Sequence, residues 1–481
     1  MRVGNDVFRF GPYELDSNRR RLWRGGEPVA LPDRHVAILL LLASHAGQIV
    51  TKDALGEAGW PGDAAVGDNS IVQVIKSLRN TLGNQDRRVR YIETVPRLGY
   101  RLLVPVEHRQ PPPRQPSVPL DALLARDRAV VEGRAELETL NRDALGRAHQ
   151  AFGRAVLAVP DDPAGHVGLA TACVFAFETT RVDAAPDLAA LQRANLHARE
   201  GCRLDPVSGE AWATFALVMH RMGNPIDAIA AGRRAVALDP NNWQHYVRLA
   251  EVSWGERRLR AAYRALALCP GLAQPRWFAS TVFIARQAFD AALEELREGC
   301  AAQDAQRNGS GRFNAVGLHL LHGLVLAARG ADDEAFEQFT RERAVSDDRQ
   351  VYERECAAAT WYASGALHLR QGRCDDAAAA FHEALKRVPN HALAAIGLAA
   401  SGGREGRDSP SSNAVNAATV HAAVLALGGR HGDAARIYGE ALVEAPPGSA
   451  GWMLPVEPLL HATAHPAIWA PALTMLRDRA T

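Results

Sequence analysis

The sequence DNSIVQVIKSLRNTLG, residues 68–83, has the periodicity of an amphipathic helix. At about 100° per residue, four apolar side chains fall in one narrow stripe: Ile71, Ile75, Leu78 and Leu82. The opposite side carries amides, a lysine and flanking serines: Asn69, Ser70, Gln73, Lys76, Ser77 and Asn80. Asp68 or Asn69 can cap the start of this helix, and Gly83 can end it. We therefore predict a helix with one buried face and one polar face.

The polar face has two interpretations. Asn and Gln are mediocre helix formers, so their presence suggests contacts with a partner rather than helix stability. In a DNA major groove, their amides pair bidentately with adenine, while lysine binds phosphates or guanine. For an isolated helix, a solvated face without a partner is the alternative. The surrounding sequence has to decide between the two.

Length and composition indicate a multidomain globular protein. The chain has 481 residues, too many for a single core, with a formal net charge of +1, 47% hydrophobic residues and 23% charged residues. The charge is unevenly placed, since residues 1–115 contain 17 Lys and Arg against 12 Asp and Glu. This asymmetry makes the N-terminal part the better candidate for binding a polyanion.

The sequence predicts a cytoplasmic protein. Its N-terminus has no signal-peptide pattern, and its longest apolar runs, residues 36–43 and 169–177, are much shorter than the roughly 20 residues of a membrane-spanning helix. The cysteines are dispersed without a C-x-x-C pair: Cys173, Cys202, Cys269, Cys300, Cys356 and Cys374. We expect reduced thiols in the core rather than disulfides or a zinc site.

The residues around the opening stretch predict a winged helix. VFRFGPYELD, residues 7–16, alternates as one half-buried strand does, and residues 20–31 give two further short strands around Gly25 and Gly26. Two helices follow, one opened by Pro32 and one capped by Thr51. After residue 90, a strand, a tight turn at residues 96–99 and another strand form a hairpin. In such a fold the third helix enters the DNA groove.

Residues 7–107 closely resemble the OmpR/PhoB-type winged-helix DNA-binding domain of bacterial transcription regulators. The resemblance rests on the N-terminal strands, on DNSIVQVIKSLRNTLG and on YIETVPRLGYRL, residues 91–102. It implies that residues 68–83 are the recognition helix and residues 96–101 the wing. It also implies that the loop from Trp60 to Val66 contacts RNA polymerase. Such domains usually follow a receiver domain of phosphorelay signal transduction; none precedes this one, and we expect a one-component regulator.

With this context we predict DNA contact for the polar face. The expected contacts to base edges are Asn69, Gln73, Ser77 and Asn80, while Ser70 and Lys76 are expected on phosphates. In the wing, Arg97 and Arg101 are positioned to enter a narrow minor groove. Arg79 lies on the flank of the helix, where a DNA contact and a contact within its own domain are equally compatible with the sequence.

A proline-rich linker, residues 108–119, separates this domain from a helical-repeat domain, residues 120–481. WYASGALHLRQGRCDDAAAAFHEALKRVP, residues 361–389, resembles a tetratricopeptide repeat of about 34 residues. Weaker copies show Ala and an aromatic residue four positions apart, as at Ala148 and Phe152. We expect an all-α superhelix of seven or eight repeats, whose groove could bind a protein or small-molecule effector.

No catalytic constellation is present, so we predict a protein that is not an enzyme and needs no cofactor. Histidine pairs at His319 and His322, and at His461 and His465, lack a third ligand, so we predict no metal site. The predicted function is sequence-specific binding of double-stranded DNA in transcription regulation. A homodimer is a candidate assembly for this function. The alternative is a repeat-based interaction scaffold whose winged helix binds protein or RNA.

Overall fold

A computed structural model of the protein describes residues 6–17, 19–60, 68–83, 90–96, 98–109, 118–308, 314–344, 349–402 and 414–481. The chain divides into two compact units, Met1–Pro119 and Leu120–Thr481. Each unit has hydrophobic clusters of its own.

The first unit begins with an antiparallel meander of four strands: β1 (Val7–Phe10), β2 (Tyr13–Asp16), β3 (Arg21–Arg24) and β4 (Glu27–Val29). The prediction of one strand over residues 7–16 was therefore wrong, because a tight turn with Gly11 at φ +55° pairs Phe10 with Tyr13. The buried positions shift there from Phe8 and Phe10 to Tyr13 and Leu15. The buried residues therefore change from even to odd positions, and this change marks the turn.

Three helices and a second small sheet complete the winged helix. The elements are α1 (Asp33–Ser44), β5 (Val50–Thr51), α2 (Lys52–Gly59), α3 (Asp68–Thr81), β6 (Ile92–Val95) and β7 (Gly99–Leu102). In the described residues, β5, β7 and β6 pair in that order, with Ile92 opposite Leu102 in the hairpin. Apolar side chains of all three helices and both sheets share one core. The predicted winged-helix fold is confirmed.

A further strand, β8 (Glu107–Arg109), returns the chain to the first sheet. It pairs antiparallel with β1, placing His108 opposite Phe8, and the two rings stack at 5.1 Å between centroids. Over the described residues, this sheet has the order β4-β3-β2-β1-β8. The strand extends two residues into the segment predicted as linker. The sequence did not predict it, because pairing with a strand about a hundred residues earlier leaves no local signal.

The second unit is all-helical. Its first part comprises α4 (Leu120–Glu138), α5 (Arg142–Ala158), α6 (Pro163–Thr180), α7 (Leu188–Leu204), α8 (Gly209–Arg221), α9 (Pro225–Leu238), α10 (Trp243–Val252), α11 (Glu256–Leu268), α12 (Gln274–Ala285) and α13 (Phe289–Arg307). The remainder comprises α14 (Leu318–Ala328), α15 (Asp332–Arg343), α16 (Glu353–Arg370), α17 (Cys374–Arg387), α18 (Ala392–Ala400), α19 (Ala414–Leu427), α20 (His431–Glu444) and α21 (Pro466–Arg479). Consecutive helices pack as hairpins from α4–α5 to α16–α17, and α19 pairs with α20. No helix of the described residues is long and apolar enough to cross a membrane.

Glycines and buried aromatic residues lock successive hairpins together. Phe152 of α5 is 1% exposed and lies against Gly133 of its own hairpin and Gly168 of the next. Phe381 of α17 takes the same position between Gly365 and Gly397. These aromatic residues of the repeat pattern therefore fill the space between helices, and the predicted repeat architecture is confirmed.

The segment between α20 and α21, which contains Val456, Glu457 and Thr463, covers the first helices of several hairpins. Val456 packs with apolar side chains of α12, α14 and α16. The Tyr362 hydroxyl of α16 donates to the buried carboxylate of Glu457, and burial raises the pKa of Glu457 to about 7. Further along, Thr463 Oγ1 donates to the Ala328 carbonyl at 2.9 Å. This part of the inner surface is therefore filled by the chain itself.

A second internal segment packs on the first hairpins. Val351 N donates to the Leu140 carbonyl at 3.0 Å, and Arg142 N donates to the Arg349 carbonyl at 2.7 Å. Arg354 pairs with Asp183 at 2.6 Å. Residues about 170 to 210 positions apart are thereby tied together, so the repeats do not form a simple open array.

Charged residues at the ends of α6, α8 and α10 form a buried cluster beside that contact. Arg221 pairs with Glu178, whose side chain is fully buried, and with Glu251 at 2.6 Å. Although burial opposes ionisation, Arg221 and Arg248 lower the pKa of Glu251 to about 2. Arg181 also pairs with Glu178, at 3.2 Å, so the carboxylates of this cluster are compensated by guanidinium groups in the interior.

We expect Gly168→Ala to destabilise the helical unit by about 1–3 kcal/mol, because small residues are required where helices approach closely. A Cβ at this position would lie 2.1 Å from Cδ1 of Phe152. Gly153→Ala is the matched control, since a Cβ there has no neighbour within 4 Å, and it should be neutral or stabilise by up to about 1 kcal/mol. Urea unfolding followed by circular dichroism measures both. Equal midpoints for the two variants would contradict the packing described above.

Candidate nucleic-acid interface

Helix α3 has a buried face and an exposed face. Ile75 is 1% exposed and Leu78 fully buried, in the core shared with α1 and α2. Among the predicted contacts, Ser77 is half-buried, and five residues are exposed: Asn69, Ser70, Gln73, Lys76 and Asn80. The structure thus brings all six predicted α3 residues to the solvent side of one helix, with five fully available for contact.

The C-terminal end of α3 is tied to the rest of its domain. Tyr13 donates its hydroxyl proton to the Thr81 carbonyl at 3.2 Å. On another side, Arg79 Nε donates to the Ile92 carbonyl at 3.1 Å, and its Nη2 donates to Thr94 Oγ1 at 2.7 Å. Arg79 therefore connects the helix to the hairpin. Of the two alternatives left open for this residue, the structure supports the contact within its own domain.

Val72 is an exposed apolar residue that the sequence analysis missed. Its side chain is 44% exposed, in contrast to the neighbouring Ile71, which is 3% exposed. On the helix it lies one turn before Lys76, at the margin of the polar face. The sequence signal for this exposure was the position of Val72 on the helix, about 100° away from the buried stripe.

The two wing arginines differ in what the structure shows. Arg97 lies outside the described residues, next to Leu98, which is 57% exposed at the turn. Arg101 lies in β7 and pairs with Glu93 of β6, the residue opposite it, through Nη2 at 2.6 Å and Nε at 3.1 Å. Its guanidinium is therefore already engaged by a carboxylate, which sequence reasoning did not anticipate.

Close backbone approach positions the wing hairpin. Gly99 has φ +149°, and a Cβ at this residue would lie 2.0 Å from the carbonyl oxygen of Val50 in β5. Glycine is therefore required where β7 pairs with β5. This contact connects the hairpin to the end of the segment between α1 and α2.

The predicted polymerase loop lies outside the described residues except for Trp60. This side chain is half-buried at the end of α2, and the guanidinium carbon of Arg34 lies 5.6 Å from the ring centroid. The contact with RNA polymerase stays a prediction.

His319 and His322, the first histidine pair singled out in the sequence, have partners within the helical unit. His319 Nδ1 lies 2.7 Å from Gln338 Oε1, and burial lowers the pKa of His322 to about 4. Within the described residues, no group of three or more His, Cys, Asp or Glu side chains could hold a metal ion. All six cysteines are free thiols, but Cys374 is exposed rather than in the core as expected.

Comparison with protein families identifies the first unit. Residues 26–102 match the family described as "Transcriptional regulatory protein, C terminal". The match covers α1, α2, α3 and the hairpin, which are the elements that build the surface described above. The N-terminal unit is a winged-helix DNA-binding domain of the OmpR/PhoB type.

Curated proteins similar to this region are transcription regulators. The chain is 37% identical over 122 residues to the transcriptional regulator HilA of Salmonella typhimurium, covering 25% of this chain and 22% of that protein. It is 32% identical over 101 residues to the transcriptional activator CadC of Escherichia coli, covering 21% and 20%. The chain thus matches about a fifth of the length of these relatives.

Solved structures resemble each unit separately. The DNA-binding domain of E. coli CadC covers 22% of this chain and all of that chain, with 30% identity and a TM-score of 0.20. A tetratricopeptide repeat protein from Parabacteroides merdae covers 58% of this chain and 99% of that chain, with 11% identity and a TM-score of 0.40.

We expect Gly99→Ala to loosen the wing, because a methyl group there would overlap the Val50 carbonyl and force β7 away from β5. Hydrogen exchange of the full-length chain should show protection lost in residues 92–102 by at least about tenfold, or about 1.4 kcal/mol. Gly83→Ala is the control, since its φ of +73° is also positive but the space around it is open. Unchanged exchange of the hairpin in the Gly99 variant would show that the close approach is not required.

Proposed function

We propose that this protein is a transcriptional regulator that binds a specific sequence of double-stranded DNA through α3. The observation that carries the proposal is the exposed face of this helix, on which amides and a lysine stand opposite a fully buried apolar stripe. A helix held in this way can enter a major groove without losing its core contacts. The match of residues 26–102 to a family of transcriptional regulatory proteins supports the proposal.

Within the groove, we assign contacts by side-chain chemistry. Asn69, Gln73 and Asn80 carry amides that pair with adenine edges, and Ser77 can bond to a base at closer range. Lys76 and Ser70 would bind phosphates and orient the domain. The exposed methyl groups of Val72 suit the methyl group of thymine, which offers an apolar contact on the same groove wall. The face would therefore favour a site rich in A·T pairs.

The wing would contact the adjacent minor groove. Arg97 and Arg101 are the proposed contacts, because arginine is favoured where the groove is narrow and its potential negative. Arg101 would have to exchange Glu93 for DNA, and their side chains are 36% and 30% exposed, so such an exchange costs little. We therefore expect Arg101 to keep its pair with Glu93 in the free protein and to contact DNA only in the complex.

The remaining partners belong to the same proposal. The loop from Trp60 to Val66 would contact RNA polymerase, and a homodimer would bind adjacent half-sites. The function is regulatory rather than catalytic, and we place it in the cytoplasm, where a regulator of this kind meets DNA. The helical repeats would bind a protein or small-molecule effector.

Gln73→Ala should cost about 1–3 kcal/mol on the preferred duplex and relax the sequence preference at one position. Lys76→Ala should weaken all duplexes similarly and reduce the slope of log K against log salt by about one. Arg9→Gln is the charge-matched control, because Arg9 lies in β1 and pairs with Glu14 at the surface. Fluorescence anisotropy with selected and random duplexes at several salt concentrations measures all three. Equal losses on both duplexes for both α3 variants would show that the helix is oriented differently.

The repeats would regulate DNA binding through an effector. Their inner surface is lined in part by the chain's own segments, around Val351 and around Val456. An effector of the groove would therefore bind beside these segments or displace them. Because coupling between sites is reciprocal, operator DNA should change effector affinity by the same factor as the effector changes operator affinity.

Comparing the full-length chain with residues 1–110 tests this role of the repeats. The fragment keeps β8 and should retain sequence preference, but it should lose the response to cell extract and bind with lower affinity, because a single domain makes a small interface. Operator affinity, stoichiometry and transcription from a target promoter are the measurements. A fragment equal to the full-length chain in all three, with and without extract, contradicts a regulatory role for the repeats.

A further inference from the structure

The first helix of the repeat unit has one side that no preceding hairpin covers. Ala129, Val130 and Gly133 of α4 are buried against the helices that follow. Leu120, Leu124 and Val131 are 68%, 48% and 69% exposed. Spacings of four and eleven residues place these three on the same side of the helix, because each step turns it by about 100°.

Such a stripe is unusual at the end of a repeat array. Terminal repeats normally present a polar outer face, since nothing stacks on them. Leu157 of α5 and Ile226 of α9 are more exposed, at 83% and 80%, but each is the single large apolar residue exposed on its helix, and both helices are fully described. Isolated exposed residues need no explanation, whereas three aligned ones at an uncovered end indicate a contact surface.

Charges on the two flanks of the stripe indicate what it contacts. Asp127 and Arg128 lie between Leu124 and Val131, one on each flank, and both are exposed. Consider two copies of α4 that pack parallel, with a two-fold axis running lengthwise between them. Each apolar residue of one helix then meets the same residue of the other. Asp127 of each copy then faces Arg128 of the other, at nearly the same height and on both flanks. An antiparallel pair centred on the stripe instead puts the two Asp127 residues on the same flank, offset by only ~4.5 Å along the axis, and like charges repel.

We propose that the exposed face of α4 is the contact between two copies of this chain, packed parallel about a two-fold axis. Leu120, Leu124 and Val131 form its apolar centre, and reciprocal Asp127–Arg128 pairs fix its direction. Residues 118 and 119 directly precede α4, so a parallel pair sends both linkers out from the same end. Only the consequence of this contact rests on the proposed function: two DNA-binding domains are tethered together.

The interface is small, since one helix face buries less than the roughly 1,200 Å² typical of stable complexes. We therefore expect a dimer that dissociates in the micromolar range in free solution. On DNA with two adjacent half-sites, the effective concentration of the second copy is about millimolar, which is enough to keep the pair closed.

Disulfide trapping in the full-length chain tests the contact directly. Val131→Cys, in a Cys374→Ser background that removes the exposed native thiol, places two thiols across the two-fold axis within disulfide reach. Mild oxidation should yield a covalent dimer at least about tenfold faster than in the Ile226→Cys control, in the same background. Equal rates in the two variants, or trapping of neither, overturn the proposal.

Charge exchange tests the parallel direction. Asp127→Arg and Arg128→Asp should each slow trapping of the Val131→Cys chain, because each puts like charges opposite one another. The double variant, Asp127→Arg with Arg128→Asp, should restore the original rate, since the pairs re-form with reversed sign. Circular dichroism confirms that these surface variants stay folded. A double variant as slow as the single ones overturns the parallel pairing.

DNA binding separates this inference from the proposed function. Val131→Glu should leave affinity for a single half-site unchanged and lower affinity for two adjacent half-sites by at least about tenfold. If the trapped dimer forms but no duplex is bound with sequence preference, the interface stands and the DNA-binding function fails. If both half-site arrangements are bound equally well by wild type and Val131→Glu, the interface proposal fails while DNA binding stands.

Discussion

Burial of one side of α3 is the constraint on which the candidate site depends. Ile75 and Leu78 lie in a core shared by three helices and two sheets, and burying each contributes roughly 1.5–3 kcal/mol. These contacts fix the rotation of the helix about its axis, so Gln73 on the opposite side can only face outward. Arg79 then holds the helix to the wing hairpin. Core residues and the proposed contact residues lie on opposite sides of one helix, so the proposed contact residues can change without loss of the fold.

The helical unit depends on a different constraint, the insertion of an aromatic ring where two hairpins meet. Phe152 and Phe381 are buried against glycines on both sides, so each hairpin is completed by the next one. The two ends of the array are unequal as a result. At the C-terminal end, α21 packs on α20 and buries Trp469 completely. At the other end, Leu120, Leu124 and Val131 on the outer side of α4 are exposed.

The inner surface of the repeats is engaged by the chain itself. Val351 and Tyr352 pack into the cluster of the first hairpins, while Val456 packs across α12, α14 and α16. Glu178 and Arg221 add a buried ion pair beside the first of these contacts. The segment itself is tied to these hairpins by the Arg354–Asp183 and Arg181–Glu355 pairs. An effector of the groove would therefore meet an inner surface that the chain itself partly occupies.

The sequence by itself determined the features that arise from local periodicity. The two faces of α3, the wing hairpin and the spacing of small and aromatic residues in the repeats are visible because neighbours along a helix or strand share an environment. Only the tertiary structure decided the features that depend on distant residues. The pairing of β8 with β1 and the exposed side of α4 are of this kind, and the Arg101–Glu93 pair needed the register of the hairpin, which puts these two residues opposite each other. The exposure of Val72 belongs with them, because burial depends on what packs against a side chain, and that is set by chain segments far away in sequence.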